Sequence, residues 1–224
     1  MAVIFPPLET ATPEGLLAVG GNLDVETLLT AYKQGIFPWP ISNDSPLTWF
    51  SPDPRGILEI KNFHISKSFQ RFLKKSPYTI RFNENFKEVI QNCALTKRSH
   101  EEGTWISQEI IDGYTNLFNA GYAYCIEVYL EEKLVGGLYG TCIGEIISGE
   151  SMFHHADNAS KVAVCSLVEI LKRNSISWFD TQMVTPIISS FGGYQIPRSQ
   201  YVKMLKKLDA ISLTRQQMFL QVSD

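Results

Sequence analysis

Apolar and polar positions change rhythm several times along this chain. The first sixty residues carry little regular period. One exception is Asp24-x-Glu26 followed by LLTAYKQG, which predicts a short helix closed by Gly35. Around it, Pro38, Pro40, Pro46, Pro52 and Pro54 exclude long regular elements. From His64 the texture changes. Phe69, Phe72 and Leu73 recur at helical spacing, TIRFN reads as a strand, and NENFKEVIQNCAL as a helix capped by Asn83 or Asn85. Ser107 caps a second helix, with Ile110, Ile111, Tyr114 and Leu117 on one face and Gly121 at its end. The stretch AYCIEVYLEEKLVGGLYGTCIGEIISGESMF reads as three or four consecutive strands, turning near Glu131–Lys133 and Gly144. Asn158 and Ser160 open a helix whose apolar face carries Val164, Leu167, Val168 and Leu171. SISWFDTQMV is a further strand, IISSFGG a short helix and SQYVKMLKKL another.

Helices, an antiparallel meander, a helix and another strand predict an α+β acyltransferase layout with a central, mostly antiparallel sheet flanked by helices. The change of texture divides the chain into a small irregular N-terminal domain, residues 1–60, and a larger domain, 61–224.

Composition narrows the class. The 224 residues are 44% hydrophobic and 19% charged, which is globular and long enough for a sizeable core. Apolar runs fall far short of the ~20 residues of a membrane span. MAVIFPPLET has no basic stretch ahead of an apolar one, so the expected location is cytoplasmic, with no membrane partner. Cys93, Cys125, Cys142 and Cys165 are scattered among apolar residues and read as buried thiols. The net charge of −3 requires any nucleic-acid contact to use a local basic patch.

Candidate chemistry concentrates between Leu134 and Gln182. On a strand, Trp178, Asp180 and Gln182 share one face, and a carboxylate and an amide there are costly to bury without partners. The ordinary alternative is a strand end bonding a neighbouring loop. Gly136, Gly137, Gly140, Gly144 and Gly149 weaken the preceding strands, which points to bulges or a close backbone approach. Glu150 stands in an otherwise apolar run and either pairs with a cation or helix N-terminus or faces a ligand's ammonium group. His154-His155 lacks partners at metal-ligand spacing, so no metal is expected. There is no G-x-S-x-G, Walker or Rossmann motif. The approach to the helix at Asn158, HHADNASK, has no glycine for a CoA pyrophosphate, and no cofactor is expected.

GLLAVGGNL, AYKQGIFPW, WFSPDPRG, EGTWI, LVGGLYG, GESMF, NASK, DTQ and IPRSQY occur in order from Gly15 to Tyr201. Together they resemble the leucyl/phenylalanyl-tRNA–protein transferase family over nearly the whole chain. The resemblance implies a GNAT-like larger domain without CoA or metal. It implies transfer of Leu, also Phe and Met, from aminoacyl-tRNA, with Leu-tRNA and Phe-tRNA as partners, to the α-amine of proteins beginning with Arg or Lys, marking them for N-degron degradation. By the same resemblance Asp180 and Gln182 are catalytic, and Glu150 lies near the aminoacyl group. Tyr32, Trp39, Trp105 and Tyr114 line the tRNA 3′ end and acceptor region. Leu138, Ile147, Gly149 and Leu167 shape the aminoacyl pocket. Ile147 stands where the family usually has Phe, which predicts extra room at the pocket wall.

No covalent intermediate is needed, because the donor ester is already activated. Asp180 is expected to orient Gln182, the pair relaying the amine proton, or else to act as direct base. Its removal is expected to cost charge but little packing. Arg55, Lys67, Arg71, Lys74, Lys75, Lys97, Arg98 and Lys161 are the candidate cations for tRNA phosphates, with Arg55, Lys74, Lys75 and Lys161 foremost. Two other classes stay open: a non-catalytic tRNA- or peptide-binding module, and a CoA-dependent N-acyltransferase.

Overall fold

The structure is a computed structural model that describes residues 3–41, 45–96, 104–211 and 213–220. Lys97 and Arg98 lie outside the described residues. The chain begins with β1 (Leu16–Val19), α1 (Val25–Lys33), β2 (Phe37–Pro38) and β3 (Thr48–Phe50). Asp24 caps α1 by accepting from the Thr27 N–H, and Gly35 follows its end at φ +79°, a left-handed backbone that glycine takes without strain. The strands form a three-stranded sheet in the order β1-β3-β2.

The rest of the chain builds a seven-stranded sheet in the order β10-β4-β9-β8-β7-β6-β5. Its elements are β4 (Arg55–Glu59), α2 (Lys67–Leu73), β5 (Tyr78–Phe82), α3 (Phe86–Leu95), α4 (Gln108–Asn119), β6 (Ala123–Leu130), β7 (Lys133–Ile143) and β8 (Ile146–His154). They continue with α5 (Ala159–Arg173), β9 (Trp178–Gln182), α6 (Pro186–Ser190), β10 (Tyr194–Ile196), α7 (Arg198–Leu205) and α8 (Arg215–Leu220). Every pairing is antiparallel except β8 with β9. Helix α5 buries Val164, Leu167, Val168 and Leu171 in one core cluster, while α3 and α4 bury Val89, Ile90, Ile110 and Tyr114 in the other. The mostly antiparallel sheet therefore has helices on both faces.

A division at residue 60 does not follow the sheets. Strand β4 lies before it, yet pairs with both β9 and β10. Its Ile57 and Leu58 are fully buried, too apolar for the irregular segment assigned from the prolines. The smaller sheet ends at Phe50 and the larger begins at Arg55. One core cluster still runs through both, from Leu28 and Trp49 to Tyr139 and Trp178.

Candidate active site

Strands β8 and β9 pair at a single point, Ser148 with Asp180. Beyond it a cavity of about 260 Å³ opens, lined by Gly149, Glu150, Ser151 and Met152 from one strand and Phe179, Thr181 and Gln182 from the other. Leu138 of β7 and Val164 and Leu167 of α5 supply apolar wall. Phe37, Pro38 and Trp39 enter from the N-terminal sheet, and Trp105 from the segment before α4.

Glu150 reaches this wall through a β-bulge. Tyr139 pairs with Ser151 and Gly140 with Gly149, leaving Glu150 as the extra residue. Bulges re-aim side chains beside sites. Gly140 makes this one possible: a Cβ there would lie 1.9 Å from the Ser148 carbonyl oxygen. Gly140→Ala is therefore expected to destabilise the protein by roughly 1–3 kcal/mol or more, as overpacking does. Denaturant midpoints of the two proteins measure it, and equal midpoints would mean the ladder tolerates a side chain opposite the bulge.

The Glu150 carboxylate is the centre of a hydrogen-bond network. Its Oε1 accepts from Ser148 Oγ at 2.5 Å and from Gln182 Nε2 at 2.8 Å. Its Oε2 accepts from Tyr114 Oη at 3.4 Å, and the Tyr114 hydroxyl in turn bonds that of Tyr32. Thr141 Oγ1 extends the chain to Ser148 Oγ at 2.7 Å. Loss of water around the carboxyl group pushes its pKa up to about 7, the hydrogen bond from Ser148 opposing the rise. Burial, reinforced by Glu150's charge, holds both tyrosines well above the usual phenol range, so they remain hydrogen-bond donors.

Asp180 stands behind this wall. Arg55 donates to both its oxygens, Nε to Oδ1 at 2.9 Å and Nη2 to Oδ2 at 2.6 Å, and Tyr201 Oη donates to Oδ2 at 2.9 Å. Burial opposes the Arg55 charge, but the Asp180 carboxylate outweighs it and keeps the guanidinium above its ordinary pKa. Asp180 Oδ1 also accepts from the backbone N–H of Gln182 at 2.9 Å. That bond holds Gln182 at φ +52°, a left-handed conformation that a glutamine adopts only when constrained.

These positions refine the expected roles. Gln182 does not share a face with Asp180, because its backbone turns and carries the side chain to the Thr181 side of the strand. Asp180 is enclosed by Arg55 and Tyr201 and does not line the cavity, so it cannot act as a direct base. Arg55 is 1% exposed and committed to Asp180, which removes it from the candidate tRNA contacts. Ile147 is 2% exposed and belongs to the core cluster that includes α5, instead of lining the cavity. An aromatic there would alter core packing, and the extra room expected at the wall is not seen. Tyr32 and Tyr114 lie beneath Glu150 and do not line the cavity, whereas Trp39, Trp105, Leu138, Gly149 and Leu167 do.

Sequence reasoning missed the structural role of Arg55 and the contributions of Tyr201, Ser148 and Thr141. A signal existed: a cation opening the apolar run Gly56-Ile57-Leu58 and a carboxylate in a buried strand each require a partner.

A carboxyl group that titrates near neutrality and a constrained amide at the end of an apolar cavity make a group-transfer site on an α+β sheet. The chain belongs to the leucyl/phenylalanyl-tRNA protein transferase family and is an aminoacyltransferase. The model of that family matches residues 57–206, and that of its N-terminal domain matches 21–53. Relatives named leucyl/phenylalanyl-tRNA–protein transferase include one from Pseudoalteromonas atlantica, 47% identical over 90% of this chain and 86% of that protein. Another, from Flavobacterium johnsoniae, is 44% identical over 91% of this chain and 96% of that protein. Among solved structures, L-PGS from Bacillus licheniformis covers 59% of this chain and 46% of its own, at 16% identity and a TM-score of 0.41. Among the described residues, no helix is long and apolar enough to cross a membrane, and no group of three or more His, Cys, Asp and Glu could hold a metal ion.

Proposed function

We propose that this protein transfers Leu, Phe or Met from aminoacyl-tRNA to the α-amine of proteins beginning with Arg or Lys, and thereby marks them for N-degron degradation in the cytoplasm. The observation that carries the reading is the apolar cavity with Gln182 and Glu150, hydrogen-bonded to each other, on its wall. An apolar aminoacyl side chain suits Leu138, Val164, Leu167 and Phe179. The ester carbonyl then lies beside the amide and carboxylate.

Gln182 Nε2 is committed to Glu150, so the acceptor this side chain offers an attacking amine is Oε1. The acceptor α-amine, with a pKa of roughly 7.7–8.0, is appreciably neutral near pH 7. Its nitrogen bonds the carbonyl carbon, the ester C–O bond breaks, and the amine's proton replaces the lost bond on the ribose oxygen. Glu150, poised near neutrality, is suited to hold that proton in passage. Orientation in the cavity contributes most, about 7–11 kcal/mol in favourable cases.

Lys67 and Arg71 of α2, with Lys74 and Lys75 at its end, fall at spacings of four, three and one residues and are all exposed. They form a basic stripe suited to phosphates, with half-buried Lys161 leaning on the Phe69 ring of the same helix. Replacing Lys74 and Lys75 together by Gln is expected to reduce the log–log salt slope of tRNA binding by about 0.9 per lost contact, taking duplex DNA as the guide. Filter binding across a salt series reads the slope, and an unaltered value would put the tRNA body on another surface.

The function is tested by incubating the protein with labelled Leu-tRNA or Phe-tRNA and peptides beginning with Arg, Lys or Ala. Label is expected on the Arg and Lys peptides alone. Binding of tRNA without transfer would favour a non-catalytic module, and transfer from an acyl-CoA would favour the other acyltransferase reading.

A further inference from the structure

We propose that Arg55 is a positioning residue for the transfer reaction: anchored on the Gly35 carbonyl and clamped between two rings, it fixes Gln182 through Asp180. The proposal rests on the aminoacyl-transfer reading of the site. Arg55 Nη1 donates to Gly35 O at 3.1 Å, at the end of α1. Its guanidinium lies 4.7 Å from the Phe37 ring centroid and 4.6 Å from that of Tyr201. The remaining donors, Nε and Nη2, hold the two Asp180 oxygens. Asp180 Oδ1 then holds the Gln182 N–H, and Gln182 Nε2 holds Glu150. One planar group thus connects the helix end that leads into Phe37, Pro38 and Trp39 with the amide on the opposite wall.

Burial of an ion pair is a poor means of stabilising a fold, since apolar replacements of equal volume often do as well or better. Its geometric value is greater. The guanidinium fork fixes the carboxylate in its plane, which a lysine ammonium cannot do. Gly56, the next residue, permits the close approach that this requires: it pairs with Gln182, and a Cβ on it would lie 2.7 Å from the Met183 carbonyl carbon. Arg55 does not line the cavity, so its effect on the reaction is transmitted through Asp180.

Three variants test this. Arg55→Lys keeps the charge and loses the fork, and kcat is expected to fall ~10–100-fold, as when partners behind a reactive group are removed. KM for aminoacyl-tRNA should change only a few-fold, because the cavity's apolar wall is kept. Arg55→Ala, assayed well below its melting temperature, should recover kcat when guanidinium ion is added and not when ammonium is. Tyr201→Phe removes only the hydroxyl on Asp180 and should give a smaller loss of kcat with the fold intact. It serves if the Arg55 variants do not fold. The backbone amide of Gln182, followed by NMR in ¹⁵N-labelled protein, should shift and exchange faster with solvent in each variant. That readout needs no activity, so it decides the role of Arg55 even if the wild type transfers nothing to an Arg peptide, a result that would sink the functional reading alone. Folded variants with wild-type kcat, or a Gln182 amide that does not move, would overturn the proposal.

Discussion

Asp180→Ala is expected to lower stability by about 3–5 kcal/mol and to abolish transfer. Sequence alone suggests a change that removes charge and little packing. The structure differs, because the alanine would leave Arg55 buried and charged with its two carboxylate bonds gone. An uncompensated buried charge is among the few single changes that cost so much. The double variant Arg55→Met/Asp180→Leu separates the two roles. Apolar groups in place of a buried ion pair are often neutral or stabilising by about 1–4 kcal/mol, so much of the stability should return. Transfer should not return, because nothing would then hold the Gln182 backbone N–H. Urea denaturation and transfer of labelled Leu measure both effects. An Asp180→Ala protein as stable as wild type would show that the pair matters little to the fold.

Glu150→Gln is expected to reduce turnover about 10²–10⁴-fold, the range of a positioned acid–base group, and to alter stability in a pH-dependent way. Desolvation raises the folded pKa of Glu150 from the ordinary 4.5 to about 7. Between those values the folded protein holds a proton that the unfolded chain has released. The associated stability is fully present below about pH 4.5 and is lost as pH rises through about 7. Gln has no such proton, so the variant should gain on the wild type across this window by on the order of 3 kcal/mol. Equal stability below about pH 4.5 and a more stable variant at pH 8 are the expected results. Wild-type turnover should rise through pH 7 as the carboxylate forms, and the variant's should stay low and follow only the acceptor amine's deprotonation near roughly pH 7.7–8.0. Turnover independent of pH in the wild type, together with an active variant, would remove Glu150 from the proton path.

What the chain reveals without a structure follows the range of the interactions involved. Asp24 and Ser107 cap their helices through the third residue on, so both were legible locally. The cap of α3 was not. Asn85 makes no side-chain cap bond, and Glu127 of β6 instead accepts from the N–H groups of Glu84 and Asn85. Strands β1, β3, β4 and β10 have three to five residues each, too few to show a period beside prolines. The glycines between Gly136 and Gly149 did announce a bulge, because they mark where a side chain has no room. The apolar run after Arg55 marks it as a buried cation but cannot name its partner, which is 125 residues away. Alternation gave Asp180 its face but not Gln182, whose left-handed backbone breaks the rule at the strand's last residue.

The bulge on β8 makes fold and chemistry separable by a single codon. A chain lacking residue 150 would join Gly149 directly to Ser151, whose partners Gly140 and Tyr139 are already adjacent on β7. The ladder would close without a gap and the sheet would be more regular than before. Such a protein would keep its ladder and lose transfer, its stability reduced only by what stranding the donors of Ser148, Tyr114 and Gln182 costs, about 1–3 kcal/mol for each that stays buried.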